Sequence, residues 1–322
     1  MTSSADDGGL VTLGETMALF ATDEIGPLRS ARSLRLSVAG AESNVAIGMR
    51  RLGVRTTWIS RLGADDLGDL VESVLRGEEV EVRCRRDRDR PTGLMIKARR
   101  TATTARVLYY RTGSAASALS PDDVVEEVVA RAGVLHLSGI TPALSPSCAA
   151  AVDAAVDVAR RHGVPVSFDV NFRRALWSPE QAVPVLRGLA ARADILFAGT
   201  DEAALLLGEE GRPDEAAARE LSGLGPPEVV LKRGAAGALA VVGGELLEQP
   251  GIPVAAVDHV GAGDAFVAGY LAAHLRGAGV AERLQQANRT GAFAVTVSGD
   301  WEGAPTTAEL GLLAQPDGTV LR

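Results

Sequence analysis

Cysteine is almost absent from this chain: only Cys84 and Cys148 occur in 322 residues. With no C-x-x-C pair, a disulfide scaffold and a cysteine-rich metal site are excluded. Aromatic residues are scarce too, at 4%, so the core must be assembled from small and branched aliphatic side chains. Positive charge is in the minority. The net charge of −8 argues against a nucleic-acid partner, although a local field can still receive an anionic ligand. No run approaches the 18 uncharged apolar residues of a membrane span. The opening MTSSADDGG has neither the basic nor the apolar region of a secretory signal, so a cytoplasmic protein is the default. The P-loop pattern G-x-x-x-x-G-K-[ST] is missing. So is G-x-G-x-x-G after the first strand, where GETMAL stands instead. The four histidines show no metal spacing.

What is present is alternation. A hydrophobic content of 46% suffices for a large core. Strand-like runs at 10–13, 56–60, 134–137, 164–168, 195–197 and 229–231 alternate with helical periodicity at 67–75, 121–131, 146–162, 179–191, 201–207 and 215–221. Such alternation predicts a parallel sheet covered by helices. A hairpin is expected at 239–242 and 246–249, a strand at 252–257, a mostly helical stretch at 280–298 and a last short helix at 307–313. Residues 1–9 read as a loose tail. The pattern changes at 80–112, where strand-like pieces occur without a helix and five arginines fall within 83–90. That segment reads as an antiparallel insertion that, with 15–38, forms a small β lid. It ends in Tyr109, Tyr110 and Arg111. No linker or repeat divides the chain, so 10–313 reads as one α/β domain.

The chain is organised around VDHVGAGDAFVAGYLAAHLRG at 257–277. Gly261, Ala262 and Gly263 precede a run in which Ala265, Ala268, Leu271, Ala272 and Leu275 recur at helical spacing. The first turn of a helix has unpaired N–H groups and a positive dipole end, which suit an anion. Asp264 beside it can take a proton from a hydroxyl. An anion cradle next to a base is what phosphoryl transfer to an alcohol requires; an ordinary glycine turn with Asp264 as a cap is the plainer reading. Another helix opens at Gly40, with Glu42 at its start and Asn44 in its first turn; it is either a plain amphipathic helix with polar caps or one that puts Gly40 and Asn44 at a pocket mouth. Asp169, Asn171 and Glu202 lie at strand ends and offer oxygens suited to magnesium. Arg173 is either a surface charge or a bidentate partner for a substrate carboxylate. Lys232, at another strand end, would support a nucleotide phosphate. In an open parallel sheet all of these loops emerge at one edge.

These residues carry a resemblance. AGAESNVAIGMRRLG (39–53) and DHVGAGDAFVAG (258–269) resemble the two signatures of the ribokinase-like (PfkB) carbohydrate kinase superfamily, and the likeness runs over residues 10–313. VTLGET, YYRTGSAASAL, LHLSGITPALS, DVNFRRALWSP, EVVLKRGAAGA and GDWEGAP are similar to its 2-keto-3-deoxygluconate kinase branch. The resemblance implies a central, mostly parallel sheet flanked by helices with a β lid, and transfer of the ATP γ-phosphate to a sugar hydroxyl with Mg2+. It implies Asp264 as catalytic base and Gly261–Gly263 as anion hole. It places Gly40, Tyr109, Arg111, Ile140, Arg173 and Asp300 around a sugar acid, and Lys232, Gly234, Gly237 and Asn288 on the nucleotide side. Two positions depart from the pattern. Met95 replaces a lid tyrosine, and Gly199 removes the side chain of the N-x-x-E asparagine while keeping Glu202.

The leading expectation is ATP-dependent phosphorylation of the terminal 6-hydroxyl of 2-keto-3-deoxygluconate or a close sugar acid. The alternatives are a kinase for a neutral sugar or nucleoside on the same fold, and a non-catalytic sugar-binding regulatory protein. The intact Gly261–Asp264 run argues against the last. An edge strand of the lid is a place for a second copy of the chain to pair.

Overall fold

Strands that are apolar at successive positions belong in a parallel sheet buried on both faces. The computed structural model, which describes residues 8–101 and 104–314, has that sheet. The chain begins β1 (Leu10–Leu13), β2 (Met17–Ala21), β3 (Arg35–Ala39), α1 (Ala41–Arg51), β4 (Thr56–Gly63), α2 (Asp66–Gly77) and β5 (Glu81–Asp87). It continues through β6 (Leu94–Arg99), β7 (Ala105–Tyr110), α3 (Glu126–Val129), β8 (Val134–Ser138), α4 (Thr141–Leu144), α5 (Pro146–Arg161) and β9 (Val166–Asp169). The second half holds α6 (Pro179–Ala190), β10 (Ile195–Gly199), α7 (Thr200–Leu207), α8 (Asp214–Ser222), β11 (Glu228–Lys232), β12 (Gly237–Val242), β13 (Glu245–Pro250), α9 (Ala262–Leu275) and α10 (Val280–Ala294).

Nine strands form the main sheet in the order β13-β12-β11-β10-β9-β8-β1-β4-β5. Only β12 runs against the rest. The strand order reverses at β1, which pairs with both β4 and β8. Side chains alternate between the faces. Val11, Leu13, Leu135, Leu137, Leu196 and Leu231 join one core with α5, α6 and α8. Leu10, Val134, Ile195, Phe197 and Val230 join the other with α1, α9 and α10. Phe197 sets α9 on the sheet through edge-on contacts with Phe266 and Tyr270, at 6.5 and 5.3 Å between ring centroids. Small residues let the helices approach. A Cβ on Gly48 of α1 would stand 2.8 Å from the Ala268 Cβ of α9, and one on Gly269 would stand 2.2 Å from Thr290 of α10. The scarcity of aromatics and abundance of alanine and glycine are thus the composition of closely packed helices.

A separate four-stranded sheet, β3-β2-β6-β7, forms the lid. It is mixed rather than antiparallel throughout, because β2 and β6 run parallel. The arginine-rich run is not part of it. β5 pairs in parallel with β4 at the edge of the main sheet, so the lid segment expected at 80–112 is confined to 94–110. The arginines are explained by the helix beside them. Arg86 reaches Asp69 and Glu72 of α2 at 2.7 and 2.5 Å, and Arg83 pairs with Glu81 of its own strand. Charged residues on an edge strand also discourage further pairing.

Other expectations shift. The helix expected at 121–131 is two pieces, a 3-10 turn at Pro121–Asp123 closed by a Ser120–Asp123 capping box and the short α3. The segment expected as a strand at 252–257 joins neither sheet and is largely exposed; its Val257 N–H donates instead to the Val295 carbonyl at 2.7 Å. α10 stops at Ala294 rather than near 298, and the last helix is a 3-10 segment, Glu309–Ala314. Of the expected tail, residues 1–7 lie outside the described residues. Gly9 is not loose, as its carbonyl accepts the Gly133 N–H at 2.8 Å.

Candidate active site

Because β1, β8, β9, β10 and β11 are parallel, their C-terminal ends deliver Glu15, Ser138, Asp169, Gly199 and Lys232 to one edge of the sheet. The N-termini of α1 and α9 open at the same edge. There the structure forms a cavity of about 760 Å³.

Its floor is the start of α9. Gly261 has φ +75°, a left-handed conformation that glycine adopts without penalty. A Cβ there would fall 1.7 Å from the Asp300 carbonyl oxygen, so the loop at 299–305 and the turn before α9 need that glycine to touch. The first-turn N–H groups of α9 have no partner within the helix, and Gly263 leaves them uncovered. Asp264 stands in this turn. Its Oδ2 accepts a 2.8 Å hydrogen bond from Asn44 Nδ2 of α1, while Asn44 Oδ1 is buried and has no partner among the described residues. Burial pushes the Asp264 carboxyl up to about 7. The Asp169 carboxylate adds to this, and Asn44, Arg173 and Lys232 oppose it.

Lys232 extends from the end of β11 and donates to both oxygens of Asp169, at 2.8 and 2.6 Å. Its Nζ lies 3.8 Å from where a Gly263 Cβ would be, beside the cradle. Burial works against its charge, but Asp169 more than offsets this and the ammonium stays above its ordinary range.

The loop after β9 is bent by Asn171, a non-glycine residue at φ +40°, a conformation asparagine tolerates better than most. Glu202, in the first turn of α7, clamps that bend. Its Oε1 accepts the Phe172 N–H at 2.8 Å and its Oε2 the Gly199 N–H at 2.7 Å. Arg173 then enters the cavity, with no hydrogen bond or ion pair to its guanidinium among the described residues. Arg111 is held differently. Its Nε donates at 2.6 Å to Glu15, whose carboxylate is fully buried and also accepts from Ser114. Tyr109 lies under the Arg111 guanidinium at 5.8 Å. Met95 is buried on the same lid face as Lys97.

Gly40, Asn44, Tyr109, Arg111, Ile140, Arg173 and Asp300 line this cavity together with Asp169, Asn171, Glu202, Lys232, Gly261, Gly263 and Asp264. A Cβ on Gly40 would stand 2.4 Å from the Glu15 carbonyl, which explains the glycine. Ala262 lies in the cradle between its two glycines. An adjoining hollow of about 660 Å³ shares Arg173, Glu202 and Lys232 with the first and adds Gly234. Gly237 and Asn288 line neither. Gly237 has φ +98°, where a Cβ would meet the Gln249 carbonyl, and the Asn288 amide donates to the Gln249 and Pro250 carbonyls at 3.1 and 3.0 Å. Both therefore shape the end of the β12–β13 hairpin.

The three oxygen donors expected for a metal, Asp169, Asn171 and Glu202, all line the cavity. No group of three His, Cys, Asp or Glu stands ready for a metal ion among the described residues. Asp169 is occupied by Lys232, and Glu202 by two backbone N–H groups.

Two charged side chains at this site were not singled out from the sequence, Lys97, which lines the cavity, and its partner Asp258. Lys97, on β6, pairs with Asp258 at 2.8 Å and lies 3.6 Å from Asp300. A signal existed: of 33 basic residues only two are lysines, Lys97 and Lys232, and both line the cavity.

Comparison with known proteins agrees with this geometry. The family model for pfkB family carbohydrate kinases matches residues 8–307. A 2-dehydro-3-deoxygluconokinase of Bacillus subtilis (strain 168) is 38% identical over 96% of both chains. A 2-dehydro-3-deoxygalactonokinase of Haloferax volcanii is 36% identical over 90% of this chain and 92% of its own. A crystal structure of a PfkB protein from Polaromonas sp. JS666 superposes with a TM-score of 0.85 at 37% identity, over 94% of this chain and 99% of that one. No helix among the described residues is long and apolar enough to cross a membrane.

Proposed function

The chain belongs to the pfkB family of carbohydrate kinases, and from that premise we propose that it phosphorylates the 6-hydroxyl of 2-keto-3-deoxygluconate or a closely related sugar acid, with ATP as donor. The observation that carries the reading is one cavity holding a base and anion cradle at its floor and two arginines in its wall.

Asp264 is the base. It takes the hydroxyl proton as the acceptor oxygen bonds to phosphorus and the bond to the ADP oxygen breaks. A carboxyl near neutrality is matched to that task. Asn44 holds one carboxylate oxygen, leaving the other for the hydroxyl. The N–H groups of Gly261, Ala262 and Gly263 face the phosphoryl oxygens, where charge is spread in the transition state. Lys232 stands beside them at the junction of the cavity and the hollow holding Gly234, where the donor's phosphates lie. Gly237 and Asn288 serve the nucleotide side by shaping the hairpin end.

Arg173 is the unpaired cation for the acceptor's carboxylate, which it grips bidentately. Arg111, fixed by Glu15, presents a second guanidinium with Tyr109, and Gly40, Ile140 and Asp300 complete the wall. Magnesium, if bound, would supply charge neutralisation to the donor's phosphates. Glu202, Asp169 and Asn171 would hold it through water, in keeping with oxygens that already have partners.

A coupled ADP-release assay tests the reading, using 2-keto-3-deoxygluconate, 2-keto-3-deoxygalactonate, fructose, ribose and adenosine with ATP and Mg2+. Turnover confined to the keto-deoxy acids is the expected result. Equal or better turnover of a neutral acceptor would favour the second reading, which Met95 supports by removing a hydroxyl from the lid. The lid's outer strands β3 and β7 have unpaired edges among the described residues and expose Leu36 and Tyr110, so a second copy of the chain pairs there; sedimentation checks this.

A further inference from the structure

Lys97 belongs to no part of the reaction described above, yet its placement is demanding. It sits on lid strand β6 two residues beyond Met95, so both side chains point from the same face of the strand into the cavity. Its side chain is only 8% exposed. A buried ammonium is costly unless paired, and this one bridges two carboxylates, Asp258 at 2.8 Å and Asp300 at 3.6 Å. Asp258 in turn joins three segments. Its Oδ2 takes Lys97 and the Gly299 N–H at 3.4 Å, and its Oδ1 takes the Val260 N–H at 3.2 Å. Val260 is the residue before the Gly261 turn, and that turn rests on the Asp300 carbonyl.

One ammonium therefore connects the lid, the loop entering the anion cradle and the loop carrying Asp300. Composition points the same way. The chain uses arginine for 31 of its 33 basic residues, yet a lysine stands at this buried bridge between two carboxylates from different loops. A compact point charge with three rotatable donors fits. We propose that Lys97 is a positioning residue: through Asp258 it sets the turn that forms the anion cradle, and through Asp300 it aims a carboxylate at the acceptor. The inference rests on the proposed sugar-acid kinase activity.

Electrostatics supports it. Burial pushes the Asp300 carboxyl up to about 6, and Lys97 holds it from rising further against the repulsion of Glu302 and Asp258. Asp258 is partly buried, which alone would raise it, yet Lys97 and the backbone donors bring it below its ordinary range. From the strand β3 side, Arg35 lies 3.8 Å from Glu302, and Tyr109, Arg111, His259 and Asp264 are other titratable groups lining the same cavity.

The test compares wild type with Lys97→Met, which keeps the stem and removes the charge, and Lys97→Arg, which keeps the charge. Lys97→Met is expected to lower kcat about 100-fold, as small misplacements of reacting groups do. It should raise KM for the acceptor about 10-fold, leave KM for ATP within about twofold, and move the acidic limb of kcat/KM to higher pH. Lys97→Arg should restore that limb. Adding Asp258→Asn to Lys97→Met should cost little more, because both act through one pair. A fall in Tm with KM and the acidic limb unmoved would mean that Lys97 only stabilises the fold, and would overturn the proposal. A separate readout covers the case in which wild type phosphorylates no sugar acid, where the functional reading itself fails. Lysine labelled with 13C at Cε gives two side-chain signals, Lys97 and Lys232. The Lys97 signal should shift as the neighbouring Asp300 carboxyl titrates near pH 6 and stop doing so in Asp300→Asn; a signal indifferent to Asp300 would refute the bridge whatever the substrate.

Discussion

Asn44 and Asp264 lie 220 residues apart and meet at 2.8 Å, an amide of α1 on a carboxylate of α9. The bond exists because α1 and α9 pack closely at Gly48 and Ala268, placing their first turns side by side. It fixes which carboxylate oxygen is left for chemistry. Asp264→Asn should reduce kcat by roughly 10³-fold or more while sugar-acid binding survives, since general-base catalysis contributes on that order. Asn44→Ala should cost about 10-fold and shift the acidic limb to higher pH, because the Asn44 bond holds the carboxyl down. A pH–rate profile with an equilibrium binding titration checks both, and full turnover by Asp264→Asn would remove Asp264 as the base.

The pH dependence of activity and of stability should run in opposite directions. With the Asp264 carboxyl at about 7, kcat/KM should rise about tenfold per pH unit below neutrality and level off above it. For stability, this carboxyl lies above its unfolded value of about 3.9. The native state therefore keeps a proton that the unfolded chain releases, and stability falls as pH rises from about 4 to 7. Asp300, at about 6, acts in the same direction over a narrower window. Asp264→Asn should accordingly raise Tm by a few degrees at pH 8 and by much less at pH 4. Calorimetry across that range decides it; a variant equally stabilised at both ends would contradict the linkage.

Arg173 and Arg111 should fail differently. Arg173 has no hydrogen-bond or ion-pair partner among the described residues, so Arg173→Ala should leave Tm within a degree or so and lower kcat/KM about 100-fold for carboxylated acceptors, with little change for neutral sugars. Arg111→Ala leaves the Glu15 carboxylate buried and uncompensated, which should destabilise the fold by about 3 kcal/mol. Denaturant titrations beside substrate kinetics separate the two. A stability loss in Arg173→Ala would mean that it has a structural partner.

Gly261→Ala should damage both fold and rate. The φ of +75° costs an L-residue about 1 kcal/mol, and a Cβ 1.7 Å from a carbonyl oxygen cannot be accommodated without moving the loop that carries Asp300. The expected result is a lower Tm and a loss of kcat of about 100-fold or more. Gly277→Ala, also at positive φ but with open space around it, should lower Tm alone. Equal kinetic losses in the two would show that the cradle needs only the conformation and not the contact.

Local chemistry is legible in the sequence because it is short-range. The apolar runs announced a sheet buried on both faces, and strand-end loops announced that the candidate residues would gather at one edge. The motifs around Gly40 and Asp264 indicated the family before any coordinates. Tertiary structure decided what depends on partners distant in the chain. Residues 81–87 joined the main sheet beside β4, where Arg86 meets two acids of α2, and residues 252–257 formed no strand, Val257 donating instead to the Val295 carbonyl. Asp169 met Lys232 rather than standing free for a metal, Glu202 closed on two N–H groups, and Lys97 reached Asp258 across 161 residues. A strand's propensity lies in its own side chains. Its neighbours, and the charges that a buried group must find, are set only when the whole chain has packed.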